Sequence, residues 1–373
     1  MRILFCTPAS LTKSLGAAKV VIELAEEMQT LGWDCQLISI KDLATESGES
    51  MSESLRRYLQ KHAGDYDVVD YDHEYLPYPR SEFAPRTLFV ARSVLLTHHL
   101  ETISIPRPRG IKPFIGNLVN GKKRRHKYRE MVFNAHRTMQ EADVINVSNQ
   151  DDKAELIKRG ISSEKVFVMP YGISTVRRPQ FDHISSTVLK QPKVAFVGTF
   201  DYRKGAKEFP NIVRSVADRI PGVKFCLLGV KGMFSTENEI RAQFPKRSRH
   251  TLEIAMSYAP EELPQMLSSC SVGIFPSYME GMPFGILEML AASVPVIAYD
   301  TPGAPMLLPS DYLVPRGDWQ GISDKVTSLL QNENTLTEAR RWAKEQSQLF
   351  SWKSIARETS DIYLDCTRKD RGV

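Results

Sequence analysis

Two glutamates, Glu280 and Glu288, flank the start of an apolar segment that the sequence predicts to be a helix over 284–292. Pro283 precedes this segment, and proline suits the first position of a helix because its missing N–H has no partner to lose there. The first N–H groups of a helix, together with the positive end of its dipole, favour binding of a phosphate group. The pattern therefore predicts an anion-binding helix start with a carboxylate on each side.

The spacing of the two glutamates is not informative alone, because a chain this acidic contains such a pair by chance. The neighbouring residues make the pattern specific. An apolar strand at 272–275 leads into Pro276 and Ser277, and a second apolar strand at 294–298 follows the helix. A strand, a turn, a helix and a return strand predict a ligand site at the carboxyl end of the first strand.

Short apolar strands alternate with helices along the rest of the chain, which predicts parallel sheets with helices on both faces. In the first half we predict strands at 2–7, 35–40, 67–71, 87–91, 144–148 and 166–169, and helices at 17–31 and 150–159. In the second half we predict further strands at 193–198, 224–229 and 252–255, and helices at 207–219, 335–350 and 352–367. The stretch between the halves, 171–192, is rich in Ser, Arg and Pro and is predicted to be a linker.

Several segments share a resemblance to one family. The stretch 270–300 resembles the Glu-x7-Glu motif of glycosyltransferase family 4, a group of retaining enzymes with the GT-B fold. Three further segments resemble the last N-domain strand, the linker entry and the donor-phosphate loop of that family; they are 142–148, 170–173, and 197–200 with Arg203-Lys204-Gly205. The resemblance covers most of the chain and is most specific in its second half.

The resemblance implies an α/β protein of GT-B architecture, with two Rossmann-like parallel-sheet domains facing an interdomain cleft. It implies an N-terminal acceptor domain over 1–172, to which about 352–373 return, so that the C-terminal helix packs back on the N-domain. The donor domain for the nucleotide sugar is expected over 173–351.

The same resemblance implies a donor site. Glu288 is expected to accept hydrogen bonds from the ribose, and Glu280 to contact hydroxyls of the transferred sugar. Arg203 and Lys204 are expected to neutralise the departing diphosphate, because fixed cations stabilise charge that develops in a transition state. The remaining expected donor-binding residues contribute backbone groups or line the phosphate loops; they are Gly16, Thr199, Phe284, Gly285 and Ile286.

The first half of the chain has no obvious match to the family's cleft histidine. Arg92 lies at the equivalent strand end, and His98 and His99 follow six residues later. His73 ends another predicted strand and is a comparable candidate. We take His98 as the catalytic candidate with Glu280, Arg203 and Lys204, and His73, Arg92 and His99 as candidates for the acceptor side.

No metal or other cofactor is expected, because the family uses Arg and Lys where other transferases use a divalent cation. Asp70 and Asp72 form an Asp-x-Asp pattern, which ligates a metal in GT-A glycosyltransferases. The same pattern occurs at Asp65 and Asp67, and a single GT-A sheet does not explain the second series of strands. A metal site is therefore the less favoured interpretation.

A basic segment over 107–129 holds nine Lys or Arg residues and no acid. It is either a solvated face or a contact for anionic lipid or a pyrophosphate-linked acceptor. Nucleic acid is not expected as a partner, because neither stacking aromatics nor a known binding module accompany the segment. The five cysteines are far apart and the net charge is +5. With no signal peptide or long apolar run, the sequence predicts a cytoplasmic protein that contacts the inner membrane face at most peripherally.

The expected reaction moves a hexose, first of all glucose from UDP-glucose, to a saccharide or lipid-linked acceptor with retention. Two alternatives stay open. One is a GT-B-fold nucleotide-sugar hydrolase or epimerase. The other is a non-catalytic nucleotide-sugar-binding subunit, suggested because the segment 301–306 lacks the glutamate that the family carries there.

Overall fold

A computed structural model of the chain describes residues 1–13, 16–43, 48–106, 111–185, 187 and 191–370, and for 17, 111–125, 369 and 370 it describes the backbone alone. The chain divides into two compact units. The first unit comprises Met1–Thr102, Ile111–Ser174 and Ser351–Val373, and the second comprises Ile103–Gly110 and Thr175–Phe350.

The first unit is built on a six-stranded parallel sheet with the strand order β2-β1-β3-β4-β5-β6. Its strands are β1 (Arg2–Thr7), β2 (Asp34–Ser39), β3 (Val68–Asp72), β4 (Leu88–Ser93), β5 (Val144–Val147) and β6 (Val166–Val168). The central strands are buried along most of their length, as continuous apolar runs in a parallel sheet require. The strand order reverses between β1 and β3.

Among the described residues of this unit, four α-helices precede Thr175 in the chain: α1 (Gly16–Thr30), α2 (Met51–His62), α3 (Ile111–Glu141) and α4 (Gln150–Lys158). Ser50 and Glu53 form a capping box that starts α2, and the Asn149 side chain accepts the N–H of Asp152 at the start of α4. The long helix α3 includes much of the basic segment and was not predicted from the sequence.

The second unit is built on another six-stranded parallel sheet, with the order β12-β11-β10-β7-β8-β9. Its strands are β7 (Lys193–Val197), β8 (Lys224–Leu228), β9 (Leu252–Ala255), β10 (Val272–Phe275), β11 (Val296–Tyr299) and β12 (Leu313–Val314). This is the strand order of the doubly wound dinucleotide-binding fold, and it reverses between β7 and β10. In such sheets the ligand site lies at the carboxyl ends of the two strands that flank the reversal.

In the part of the second unit that the structure describes there are eight α-helices: α5 (Arg178–Asp182), α6 (Phe209–Ala217), α7 (Glu237–Ala242), α8 (Leu263–Leu267), α9 (Phe284–Ala291), α10 (Ala304–Leu307), α11 (Trp319–Gln331) and α12 (Glu333–Gln348). Helix α9 is apolar apart from Glu288, and its residues from Gly285 to Ala291 are buried, as expected for a helix enclosed in a core. Pro283 is the N-cap of α9, with extended backbone, rather than its first helical residue as the sequence had suggested.

The last helix, α13 (Trp352–Asp370), belongs to the first unit and packs against α1. The Trp352 indole donates to Glu23 at 2.7 Å, and the Trp33 indole donates to Ser360 at 2.9 Å. The predicted return of the C-terminal helix to the N-terminal half is therefore confirmed. In the part of the chain that the structure describes, every helix is too short or too polar to cross a lipid bilayer.

Candidate donor site

The loops after β7 and β10 meet at the reversal point of the second sheet. The start of α9 lies directly against β7 there, because a Cβ on Gly285 would stand 2.4 Å from the carbonyl oxygen of Val197. Only glycine fits such an approach. Gly205, with φ +86°, is similarly close to Pro276, where a Cβ would lie 2.3 Å from the carbonyl oxygen. These two glycines bring three parts together: the loop after β7 that holds Arg203 and Lys204 (the basic loop), the loop after β10 that holds Glu280 (the Glu280 loop), and the start of α9.

Lys204, Arg203 and Glu280 form an ion cluster at this point. The Lys204 ammonium lies 2.6 Å from Glu280 Oε1, and Arg203 Nη1 lies 3.2 Å from the same oxygen. Arg203 Nη1 also donates to the carbonyl oxygen of Met279 at 2.9 Å. The Ser277 hydroxyl donates to Glu280 Oε1 as a third partner. The structure thus brings three of the four predicted catalytic residues into direct contact.

Hydrogen bonds fix the shape of the basic loop and its position. Asp201 accepts the backbone N–H of Lys204 at 2.9 Å through one oxygen and the Thr199 hydroxyl at 2.7 Å through the other. The Tyr278 N–H donates to the Arg203 carbonyl at 2.8 Å, which ties this loop to the one after β10. This backbone bond between the two loops holds Arg203 and Lys204 close to the Glu280 loop. Thr199, predicted to bind the donor, directs its hydroxyl to Asp201 in this structure.

The ion cluster is largely enclosed, and its charges stabilise one another. Burial raises the pKa of the Glu280 carboxyl, but Lys204 and Arg203 more than offset this effect and hold that pKa below its usual value. Burial lowers the pKa of the Lys204 ammonium, Glu280 opposes the shift, and Arg203 adds to it. Glu280 is therefore ionised at neutral pH, and its charge is what favours the protonated form of Lys204.

The first N–H groups of α9 lie beside this cluster. Of the three predicted donors, Phe284, Gly285 and Ile286, the last already donates to the Pro283 carbonyl at 3.0 Å. Its N–H is engaged within the helix start rather than directed to a ligand. The first turn of α9 closes with this tight i to i+3 bond, and the donor contact of Ile286 stays a prediction.

Glu288 lies one turn into α9 and is buried. Its Oε1 accepts from Arg177 Nη2 at 2.8 Å, in an ion pair between two buried side chains. Tyr258 lies in the loop after β9. Burial raises the pKa of its hydroxyl, and the nearby Glu288 carboxylate raises it further. Arg177 was not predicted, because it lies in the presumed linker with no motif around it.

The segment 301–306 supports the Glu280 loop. Gly303, with φ +81°, lies so close to Gly281 that a Cβ would stand 1.7 Å from its carbonyl oxygen. The Thr301 hydroxyl donates to the Tyr278 carbonyl at 3.1 Å. The segment 301–306 thus packs directly against the Glu280 loop.

The N-domain candidates lie in the first unit. Gly16 is the first residue of α1 and is exposed. His98 is fully buried, and its Nε2 lies 3.3 Å from Nδ1 of His136. Burial lowers the pKa of His98 to about 3, with neighbouring histidines and Arg159 adding to the effect. His98 is therefore a neutral imidazole at physiological pH.

His73 and His99 are also buried and have polar neighbours. His73 Nε2 lies 3.0 Å from the Thr97 hydroxyl oxygen. His99 Nε2 lies 2.7 Å from an oxygen of Asp152, in the first turn of α4. The contact with Asp152 fixes His99 in the fold, so its ring is not directed to an open surface as tandem histidines in a polar stretch usually are.

Arg92 is enclosed in a buried network rather than directed to a ligand. It forms a two-point ion pair with Asp70, with Nε to Oδ1 at 3.0 Å and Nη2 to Oδ2 at 2.5 Å. The Tyr363 hydroxyl of α13 donates to the same Asp70 at 2.7 Å. With the side-chain amide of Asn146 turned over, its oxygen accepts from Arg92 at 3.0 Å. These partners give Arg92 a structural role, and they engage Asp70 of the Asp-x-Asp pattern.

The basic segment lies mostly outside the described side chains. Residues 107–110 are outside the described chain, and for 111–125 only the backbone, in α3, is described. The prediction of a lipid or acceptor contact there is neither supported nor contradicted by the structure.

Known proteins resemble this chain in sequence and in fold. Residues 178–348 match the family described as Glycosyl transferases group 1. The sulfoquinovosyl transferase SQD2 of Arabidopsis thaliana is 24% identical over 171 residues, which are 44% of this chain and 32% of that protein. The aligned regions span between 32% and 57% of the first three curated relatives.

Two solved structures share the fold over nearly the whole chain. Sucrose-phosphate synthase from Thermosynechococcus elongatus has a TM-score of 0.71 at 18% identity and covers 98% of both chains. HepE of Anabaena in complex with UDP-glucose has a TM-score of 0.69 at 15% identity and covers 98% of this chain and 100% of its own. The chain therefore has the GT-B fold, and the region that holds Arg203, Lys204, Glu280 and Glu288 matches the glycosyl transferases of group 1.

Proposed function

We propose that this protein is a retaining, metal-independent glycosyltransferase of family 4. It transfers a hexose, in the first instance glucose from UDP-glucose, to a hydroxyl of a saccharide or lipid-linked acceptor. The observation that carries the proposal is the contact of Lys204 and Arg203 with Glu280, beside the start of α9 and at the strand reversal of a nucleotide-binding sheet. A site of this kind suits a diphosphate joined to a sugar.

In the proposed reaction the second unit binds the donor. Lys204 and Arg203 neutralise the diphosphate as it leaves, and because they are held in place before the reaction they need little reorganisation. Glu280 contacts hydroxyls of the transferred sugar, and Glu288 accepts from the ribose. We propose that His98 contacts the reacting sugar. Because burial keeps its imidazole neutral, His98 acts through hydrogen bonding rather than through charge.

Uridine is the first base to test, because the similarly folded HepE has been solved with UDP-glucose. For the acceptor we propose a saccharide or lipid-linked molecule, as the resemblance to family 4 implies. We further propose that the basic segment contacts anionic lipid headgroups. Its nine cations and no acid over 107–129 support this.

The proposal is tested by incubating the protein with a panel of nucleotide sugars and measuring nucleoside diphosphate release, with and without candidate acceptors. We expect UDP release from UDP-glucose that an acceptor accelerates, and a product with the donor's anomeric configuration by proton NMR. Excess chelator should leave the rate unchanged. Lys204→Ala should lower the rate by about a hundredfold or more, whereas the exposed neighbour Lys207 offers a matched control, Lys207→Ala, with the wild-type rate.

Each result has a counterpart that contradicts the proposal. Release that no acceptor accelerates favours a hydrolase or epimerase. An inverted product overturns the retaining mechanism. Loss of activity with chelator and recovery with manganese overturns metal independence. Failure to release a nucleoside diphosphate from any donor in the panel overturns the enzymatic function.

A further inference from the structure

The described contacts between the Glu280 carboxylate and the basic loop all involve one oxygen atom, Oε1, which also accepts from Ser277. Lys204 at 2.6 Å, Arg203 at 3.2 Å and the Ser277 hydroxyl all converge on it. The Glu280 side chain is 8% exposed and the Lys204 side chain is 14% exposed. A carboxylate in such surroundings loses much of its hydration, so these donors are what stabilise its charge.

The two cations also depend on Glu280. Arg203 and Lys204 are consecutive residues that contact the same atom, and like charges this close repel one another in a poorly hydrated site. The other groups that act on Lys204 are Asp201, which accepts its backbone N–H, and the Phe275 ring, whose centroid lies 4.8 Å from the ammonium. Glu280 contributes more than Asp201 to keeping Lys204 protonated. The carboxylate therefore holds both cations in one place.

A diphosphate that binds the same two cations needs the same donor groups. A diphosphate oxygen that approaches the Lys204 ammonium and Arg203 Nη1 meets Glu280 Oε1, a like charge already bound to both groups. The two anions repel one another in a poorly hydrated site, so they compete for these cations. We propose that Glu280 is an internal competitor of the donor's diphosphate, and that a diphosphate binds by replacing this carboxylate on Lys204 and Arg203. This inference rests on the proposed function, because it assigns the diphosphate to this cluster.

The competition makes the site selective for a complete nucleotide sugar. When Glu280 loses its contacts with Lys204 and Arg203, its buried carboxylate needs other hydrogen-bond donors. Without them the free-energy cost of its desolvation is not compensated. Ser277 supplies one hydroxyl, and hydroxyls of a sugar next to the diphosphate supply more. Pyrophosphate or a nucleoside diphosphate takes the cations but offers the carboxylate no sugar hydroxyls. The exchange therefore favours the sugar-bearing donor over the diphosphate product.

The test measures binding of inorganic pyrophosphate, UDP and UDP-glucose to the full chain by calorimetry between about pH 6.5 and about pH 9.5, because the pKa of Lys204 lies below the usual lysine value. Glu280→Gln removes the competing charge while keeping the size of the side chain. At the low end of the range we expect the variant to bind pyrophosphate about tenfold more tightly than the wild type. We also expect its preference for UDP-glucose over UDP to shrink toward one.

The pH dependence gives a second readout. Without Glu280, burial and Arg203 lower the pKa of Lys204 with less opposition, so Lys204 loses its proton at lower pH than in the wild type. The advantage of Glu280→Gln for pyrophosphate should therefore decrease as pH rises, because binding then requires proton uptake. A variant with a shorter but charged side chain, Glu280→Asp, should lie between the two proteins.

The matched control is Glu208→Gln, because Glu208 is a buried carboxylate of the same unit whose described contact is the Tyr278 hydroxyl at 3.1 Å. It should bind pyrophosphate within about twofold of the wild type, and thermal unfolding shows whether each variant is folded.

Equal or weaker pyrophosphate binding by Glu280→Gln overturns the inference alone if UDP-glucose still binds. If Glu280→Gln does not fold, a Glu280→Asp variant with wild-type pyrophosphate affinity overturns it. Absence of binding of all three ligands to the wild type overturns the inference and the proposed function together.

Discussion

Glu288 forms a buried ion pair with Arg177 before any ligand binds. Both side chains are less than a tenth exposed, and Arg177 Nη2 lies 2.8 Å from Glu288 Oε1. A guanidinium is always charged and has a rigid geometry, so it both neutralises the carboxylate and fixes its orientation. An oriented carboxylate on the first turns of α9 is well suited to accept hydrogen bonds from vicinal hydroxyls such as those of ribose.

Glu288→Ala should therefore weaken binding of UDP by about tenfold or more, since hydrogen bonds to a charged acceptor contribute roughly 1.5–3 kcal/mol. It should also remove any preference for UDP over 2′-deoxy-UDP. Calorimetry with both nucleotides measures the two effects. Pyrophosphate, which has no ribose, is the internal control and should bind the variant as it binds the wild type. An unchanged preference for UDP would contradict the assignment of Glu288 to ribose.

The proximity of individual residues was predictable where a motif surrounds them. Lys204, Arg203 and Glu280 were chosen from sequence, and the structure brings them into contact. Arg92 was chosen because it ends a strand, but its partner Tyr363 is 271 positions away. A single sequence contains nothing that pairs two such residues, and the same holds for Arg177 and Glu288, which are 111 positions apart.

The helix α13 is held to the first sheet by one polar network. Its Tyr363 hydroxyl reaches Asp70 on β3, beside Arg92 on β4, and all three side chains are buried. Asp70 keeps its two contacts with Arg92 whether or not the hydroxyl is present. The hydroxyl therefore adds the attachment of α13 to a pair that is already satisfied.

Tyr363→Phe should lower the free energy of unfolding by about 1–3 kcal/mol, because it removes a buried hydrogen bond to a charged acceptor. Urea denaturation followed by circular dichroism measures this effect. Tyr312 offers a matched control in the second unit, where its ring stacks on Trp342 with centroids 4.9 Å apart. Tyr312→Phe keeps that contact and should change stability by less than about 0.5 kcal/mol. Equal effects of the two variants would show that the network does not anchor α13.

Elements with a clear period or a run of apolar residues were predictable to within a residue or two. Strand β1 was expected at 2–7 and spans Arg2–Thr7, and α9 was expected over 284–292 and spans Phe284–Ala291. The helix α3, with 31 residues, was missed. Its sequence combines a dense block of cations with glycines and a proline, so neither an amphipathic period nor helix propensity distinguishes it.

At the scale of the whole molecule, the groups matched to phosphate and ribose all lie in the second unit apart from Gly16. Arg203, Lys204, Glu280 and Glu288 fall within the region that matches the glycosyl transferases of group 1, 178–348. The basic segment at 107–129 lies outside that region. This distribution predicts separate tasks, with nucleotide binding in the second half of the chain and contact with an anionic acceptor or lipid through the basic segment.

Neutralising Lys122, Lys123, Arg124 and Arg125 together to glutamine should leave UDP affinity unchanged and weaken sedimentation with phosphatidylserine-containing liposomes. Each basic side chain near an anionic surface contributes about 1 kcal/mol to membrane binding. Salt screens this attraction, with a Debye length of about 10 Å at about 0.1 M. The loss should therefore be largest at low salt and disappear at high salt.

As a control, the exposed cation Lys246 of the second unit can be changed to glutamine, which should leave sedimentation nearly as in the wild type. Equal liposome binding by the wild type and the fourfold variant at low salt would remove the lipid contact. Weaker UDP binding by that variant would instead show that the basic segment takes part in donor binding, because no charge matched to the nucleotide by sequence lies within it.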